Sequence, residues 1–218
     1  MTSRRRSRVL EPGYHAGRAP GNKGRTYPPE VLTPAEVNAL IAGCSTRAPT
    51  GVRNRALIIV LYRGGLRLEE ALDLMPRDVD AQRGTLNVRH GKGNKHRTVG
   101  MDPVAFAAVE RWLELRRSRA IAGSRQPVFC TLAGGRLDDS YVRRVLHRLA
   151  AKAEITKRVH PHGLRHTHAA ELIAEGTPLD VIRDQLGHES LATTDRYLRH
   201  VAPQERIERM QARSWSPE

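Results

Sequence analysis

From Val31 onward the apolar positions change period along the chain, and each change marks an element. Thr33-Pro34-Ala35-Glu36 sets a hydroxyl, a first-turn proline and a glutamate three residues after the hydroxyl, a capping box that predicts a helix to about Ala42. Arg53 to Tyr62 contains the solid run Ala56-Leu57-Ile58-Ile59-Val60-Leu61, which by length and flanks predicts a buried helix broken by Gly64-Gly65. A short helix over Leu68 to Leu74 should stop at Pro76. Two β-prone runs, Thr85 to His90 and His96 to Val99, flank the glycine-rich segment Gly91-Lys92-Gly93-Asn94-Lys95 and read as a hairpin.

Helical spacing then returns and persists. Asp102-Pro103 opens a helix with Ala105, Ala108, Val109, Trp112 and Leu113 on one face, and Ser140 to Ala153 repeats the pattern through Val142, Val145, Leu146 and Leu149. Pro161 precedes a helix over Gly163 to Ala174. Another begins at Thr177-Pro178-Leu179-Asp180 and ends near Leu186 with Gly187 as its cap. A helix over Ala192 to about Val201 should carry Tyr197, and Gln204 to Gln211 is a weaker helical stretch in a charged tail. The predicted fold class is mainly α with a small antiparallel β-sheet (α+β). Its expected parts are a disordered basic arm over 1–30, one domain over 31–202 and a charged tail over 203–218.

Charge narrows the class of partner. The 37 Lys and Arg residues outnumber the 23 Asp and Glu residues, for a formal net charge of +14. That excess calls for a polyanion, because neutralising phosphates releases counterions and speeds encounter; a ribosomal protein would satisfy the same balance. Within 1–30, Arg4, Arg5, Arg6, Arg8, Arg18, Lys23 and Arg25 face the single acid Glu11. Such a segment suits backbone contact with DNA or mere solubilisation. The two cysteines, Cys44 and Cys130, form no metal or disulfide pattern, and no apolar run is long enough to span a membrane. A cytoplasmic, nucleoid-associated protein is expected.

The candidate chemistry lies mostly in the last third. Breaking a phosphodiester requires a nucleophile, neutralisation of the nonbridging oxygens and a proton for the departing 5′ oxygen. Tyr197 can attack phosphorus, although a phenol with a reference pKa of about 10 needs help at neutral pH. Arg67 and Arg165 offer planar forks that never lose their charge, whereas Lys92 can release a proton. His162 and His188 can donate to phosphate or accept the phenolic proton. Each residue also has an ordinary structural reading: a core tyrosine, a paired arginine, a common glycine turn. The several histidines form no HExxH, so a metal centre is not expected and no cofactor is called for.

Order and spacing select among these readings. Gly65-Leu66-Arg67-Leu68-Glu69-Glu70, Gly91-Lys92-Gly93, His162-Gly163-Leu164-Arg165, Leu186-Gly187-His188 and a tyrosine nine residues later resemble the motif series of the tyrosine recombinase, or phage integrase, family. The resemblance covers roughly Leu32 to Val201. It implies the family's catalytic-domain fold and cleavage of double-stranded DNA through a 3′-phosphotyrosyl link. By the same resemblance Arg67, Arg165 and His188 bind the scissile phosphate, Lys92 is the general acid, His162 assists proton transfer and Tyr197 is the nucleophile. Glu70 would orient Arg67, and Lys95, Arg97, Arg196 and Arg199 are candidate DNA contacts. Assembly as a homotetramer on DNA, with accessory DNA-binding proteins, is a further implication.

Larger members of the family carry a helical core-binding domain before this region. About thirty arm-like residues stand there instead, the layout of compact phase-switch recombinases and equally of a truncated integrase relic. A site-specific recombinase is the leading expectation. A non-cutting DNA-binding relative and a type IB topoisomerase-like activity are the alternatives.

Overall fold

The computed structural model describes residues 30–89, 96–121, 123–187, 210–212 and 214. In chain order the elements are α1 (Pro34–Ala42), α2 (Pro49–Arg63), α3 (Leu68–Leu72), a 3₁₀ turn (Pro76–Asp78), β1 (Val79–Asp80), β2 (Thr85–Val88), β3 (Arg97–Gly100), α4 (Pro103–Ser118), α5 (Asp139–Lys152), α6 (Pro161–Ala174) and α7 (Leu179–Leu186). This is the expected mostly helical architecture. The hairpin tip, the arm and the tyrosine-bearing segment lie outside the described residues.

The centre is α2. All but one residue of Val52 to Tyr62 is buried, and the helix packs against α4, α6, α3 and α1. A helix apolar on every side must be surrounded, which is why the solid run of Ala56 to Leu61 takes this position. It starts four residues before the expected Arg53, at Pro49, because proline pre-sets the first turn despite the weak helix formers Thr50 and Gly51 behind it. Leu86, Val88 and Val99 carry the sheet into the same core as Phe106, Trp112, Phe129, Leu146 and Leu164. A smaller cluster of Ala169, Ile173, Ile182 and Leu186 joins α6 to α7.

The sheet is antiparallel in the order β1-β2-β3. Thr85 pairs with Gly100 and Val88 with Arg97, so the hairpin register is set by Leu86 and Val99 facing inward. β1 was not expected. Its two residues are too few to show alternation, and it forms by pairing Val79 with Leu86.

The capping box of α1 forms as expected: Thr33 Oγ1 accepts from the Glu36 N–H, and Glu36 accepts from the Thr33 N–H at 2.7 Å. Glu36 also receives Lys157 at 2.8 Å, and the neighbouring Leu32 N–H donates to Thr167 Oγ1 on α6. The start of α1 is therefore tied to α6. Thr33→Ala should lower stability by about 1 kcal/mol, read as a lower urea midpoint with an unchanged slope.

Candidate active site

Three leucines place the site. Leu66, Leu164 and Leu186 are completely buried, and each adjoins or nearly adjoins one residue of the expected set: Arg67, Arg165 and, across Gly187, His188. Core packing thus fixes the backbone from which the polar side chains project. Gly65, at φ +64, brings the strand of chain after α2 against α6 and α7; a Cβ there would stand 2.7 Å from both His168 Cδ2 and Leu186 Cδ2. Only glycine suits that conformation and that approach.

The arginines meet at the carboxyl end of α7. Arg97 Nε donates to the Gln185 carbonyl at 3.2 Å, Arg165 Nη2 to that of Leu186 at 2.5 Å, and Arg67 Nη2 to that of Gly187 at 3.1 Å. Three consecutive carbonyls each hold a different guanidinium. These are the oxygens a helix leaves without intrahelical partners, at its negative end, so cations there satisfy both hydrogen bonding and the dipole. Gly187 closes the helix in the left-handed conformation, as expected of it, with φ 62.

Glu70 organises two of the three. Its carboxylate accepts from the Arg67 N–H at 2.8 Å and from Arg67 Nη1 at 2.7 Å. From the other side Arg97 gives a two-pronged contact, Nη1 to Oε1 at 2.9 Å and Nη2 to Oε2 at 2.7 Å. The Glu70 side chain is 3% exposed. Burial by itself would raise its pKa, but the hydrogen bonds and charge of Arg97, then those of Arg67, hold it down to about 2. It stays ionised throughout the physiological range and keeps Arg67 aimed.

Exposure separates the arginines. The Arg67 side chain is 30% exposed, that of Arg97 10%, and Arg165 is buried, its Nη1 bonded to the Gly65 carbonyl at 2.5 Å. Arg97 was expected on the DNA backbone; its guanidinium is engaged by Glu70 and Gln185. Nothing in its one-letter context distinguishes those two fates.

His162 lies in the first turn of α6, exposed to solvent. The surrounding protein, then the charges of Arg165, His160 and Arg67, lower its pKa, so the ring is neutral near pH 7. Its centroid is 4.0 Å from that of His166 in an edge-on arrangement. The amino end of α6 adds the positive pole of its dipole, a setting that favours an anion. His160, not singled out from the sequence, is the cap of that helix: its Nδ1 accepts from the Gly163 N–H at 3.1 Å.

A row of basic residues extends from the site. Arg143, Arg144, His147, Arg148 and Lys152 are exposed on α5, opposite Val142, Val145, Leu146 and Leu149, which are buried. The Arg143 charge reaches His160. Reading α5 for apolar period alone hid this row, though its spacing of one, three, one and four residues was visible.

His168 is a different kind of histidine. It is 4% exposed, packed under Gly65, with neither ring nitrogen hydrogen-bonded among the described residues. Burial, then Arg63 and Arg165, lowers its pKa to about 4 against an ordinary 6.5. Between those values the unfolded chain takes the proton more readily, so stability is full above about pH 6.5, falls as the pH drops to about 4, and loses nothing further from this group below that. His160 and His162 act in the same direction. His168→Leu should flatten much of that decline in thermal melts recorded from pH 7 to 4, whereas the contribution of Glu70 is lost lower, between about 4.5 and 2.

The structure therefore brings Arg67, Glu70, Arg97 and Arg165 onto the end of α7, with His162 within the field of Arg67 and Arg165. Lys92, Lys95, His188, Arg196, Tyr197 and Arg199 lie outside the described residues. No helix among the described residues is long and apolar enough to cross a membrane.

Comparison with known proteins supports the same architecture. A tyrosine recombinase XerC of Halalkalibacterium halodurans is 36% identical over 180 residues, which are 80% of this chain and 59% of the relative. Among solved structures, XerA recombinase aligns with a TM-score of 0.73 at 32% identity, over 88% of this chain and 66% of that one. The catalytic domain of bacteriophage HP1 integrase aligns with a TM-score of 0.55 at 25% identity, over 84% of this chain and 94% of that one. The chain spans less than two thirds of the curated relatives' length. The phage integrase family model matches residues 30–204, and on that match the chain belongs to the phage integrase family.

Proposed function

We propose that the protein is a site-specific DNA recombinase that cuts and rejoins strands through a 3′-phosphotyrosyl intermediate. The observation that carries this reading is the meeting of Arg67 and Arg165 on neighbouring carbonyls one and two residues before His188. Two forks from distant stretches of sequence thus meet just ahead of His188 in the chain, and in this reading they share one phosphate with its imidazole. Support also comes from a relative named XerH, whose structure is described as a post-cleavage complex with a palindromic difH substrate and which is 26% identical with a TM-score of 0.71.

In the proposed reaction the Tyr197 oxygen attacks phosphorus, the bond from phosphorus to the 5′ oxygen breaks, and Lys92 gives that oxygen a proton. His162, neutral near pH 7, takes the phenolic proton. Arg67, Arg165 and His188 neutralise the charge that builds on the nonbridging oxygens. Attack by a 5′ hydroxyl from another strand reverses the step and releases Tyr197. No external energy source enters, because the phosphotyrosyl bond retains the energy of the one it replaced.

Residues 31–202 are the catalytic unit in this reading, with 1–30 as a basic arm and 203–218 as a charged tail. The duplex lies across the α5 row, which with Lys95, Arg196 and Arg199 supplies sequence-independent phosphate contacts. Paired strand exchange assigns a tetramer to the active assembly, on nucleoid DNA in the cytoplasm. The test is a pool of nicked suicide duplexes with randomised arms, scored for a covalent protein–DNA adduct that survives denaturation. An adduct enriched for particular arm sequences is expected. Relaxation of supercoiled plasmid without sequence enrichment would favour a topoisomerase, and binding without any adduct a non-cutting relative.

A further inference from the structure

We infer that Arg97 is a positioning residue for strand cleavage, joining the hairpin to the phosphate-binding arginines and to the end of α7, and that it is not a contact to DNA. The inference rests on the recombinase reading. It starts from where the guanidinium is spent: both terminal nitrogens on the two oxygens of Glu70, and Nε on the Gln185 carbonyl. That uses the donors facing α3 and α7. The aliphatic stem is fixed as well, since a Cβ on Gly187 would come within 2.9 Å of Arg97 Cδ; the side chain lies directly beneath the residue that precedes His188.

Arg97 thus touches three elements at once, β3, α3 and α7, alongside the direct pairing of Gln185 with Gly100 that also joins α7 to β3. Its backbone is in β3, paired with Val88 of β2, the two strands that bracket the segment carrying Lys92. Its fork holds Glu70 of α3, which holds Arg67. Its Nε holds α7 one residue before the carbonyl taken by Arg165. A second ion pair, Arg89 with the buried Asp78, fastens the other arm of the hairpin to the 3₁₀ turn. Both arms are therefore anchored, but only the Arg97 side is anchored to the site. Holding reacting groups in fixed relation is worth orders of magnitude in rate, and a loose support of about 1 Å can cost 10²-fold.

A phosphate contact and a positioning contact make opposite forecasts. Losing a phosphate contact lowers duplex affinity and reduces the slope of log affinity against log salt by about 0.9. Losing a positioning contact slows cleavage by fully bound protein and leaves the slope alone. Lysine sharpens the contrast: it retains the charge a phosphate needs but cannot span two Glu70 oxygens and the Gln185 carbonyl.

The experiment compares Arg97→Lys, Arg97→Gln, Glu70→Gln and the double variant Arg97→Gln/Glu70→Gln with unaltered protein on the suicide-duplex pool. Circular dichroism melts identify the folded variants, and Arg97→Lys decides the matter if Arg97→Gln does not fold. Expected are unchanged salt slopes, adduct formation at saturating DNA slowed at least tenfold in Arg97→Lys, and a double variant no slower than the slower single one. Adduct formation near the unaltered rate in Arg97→Lys would overturn the inference, as would a reduced salt slope or losses that multiply in the double variant. If the unaltered protein forms adduct while these variants match it, only this inference fails; if it forms none, the recombinase reading fails and takes the inference with it.

Discussion

Tyr197→Phe is expected to lower covalent adduct formation by on the order of 10³-fold or more, with duplex affinity changed by less than about twofold. Loss of the phenolic oxygen removes the only atom the proposed reaction joins to phosphorus, whereas the groups that hold the phosphate are untouched. The split between the two measurements is the informative part. Arg67 and Glu70 are fixed by α3 and α7, and Arg165 by Gly65 and Leu186, so these arginines are held by contacts among the described residues. A variant that lost affinity in proportion to adduct would show Tyr197 acting as a structural residue. An adduct that persisted in the Phe variant would place the nucleophile elsewhere.

Much of this arrangement was legible in the sequence because the candidate site residues adjoin residues that build the core. Gly65-Leu66-Arg67 and Leu164-Arg165 each join a core leucine to a polar neighbour, and Leu186 stands two residues before His188, so the apolar period that predicts the elements also points to the candidate site. The helices from α1 to α7 were readable to within a few residues; α7 begins at Leu179, two residues after the expected Thr177, since its cap is Pro178, whose side chain has nothing to offer an N–H. What the sequence hid were features that depend on tertiary contact. β1 exists through its partner strand, His160 becomes a helix cap only once the chain turns at Pro161, and Arg97 looked like a free cation because Glu70 is 27 residues away. Arg165 is the sharpest case. A phosphate fork suggests an exposed side chain, yet this one is among the largest fully buried side chains described.

That burial makes Arg165 the most sensitive of the arginines in both stability and rate. Its guanidinium bonds the carbonyls of Gly65 and Leu186 across 100 and 21 residues of sequence, closing the chain after α2 onto the end of α7 through α6. Arg165→Met keeps most of the stem's packing volume and removes those bonds, leaving two buried carbonyls to be desolvated without donors, at about 1–3 kcal/mol each. Release of the Gly65 loop should also let Arg67 drift from Gly187, so adduct formation is expected to fall by at least about 10²-fold. Arg165→Lys separates the two effects. A lysine ammonium can reach one carbonyl and retains the positive charge, so the variant should regain part of the melting temperature lost in Arg165→Met. It should regain little of the rate, because one point donor cannot hold Gly65 and α7 in register while also serving a phosphate. Equal recovery of stability and rate would show that Arg165 acts through charge alone, and that the two-carbonyl clamp is incidental to cleavage.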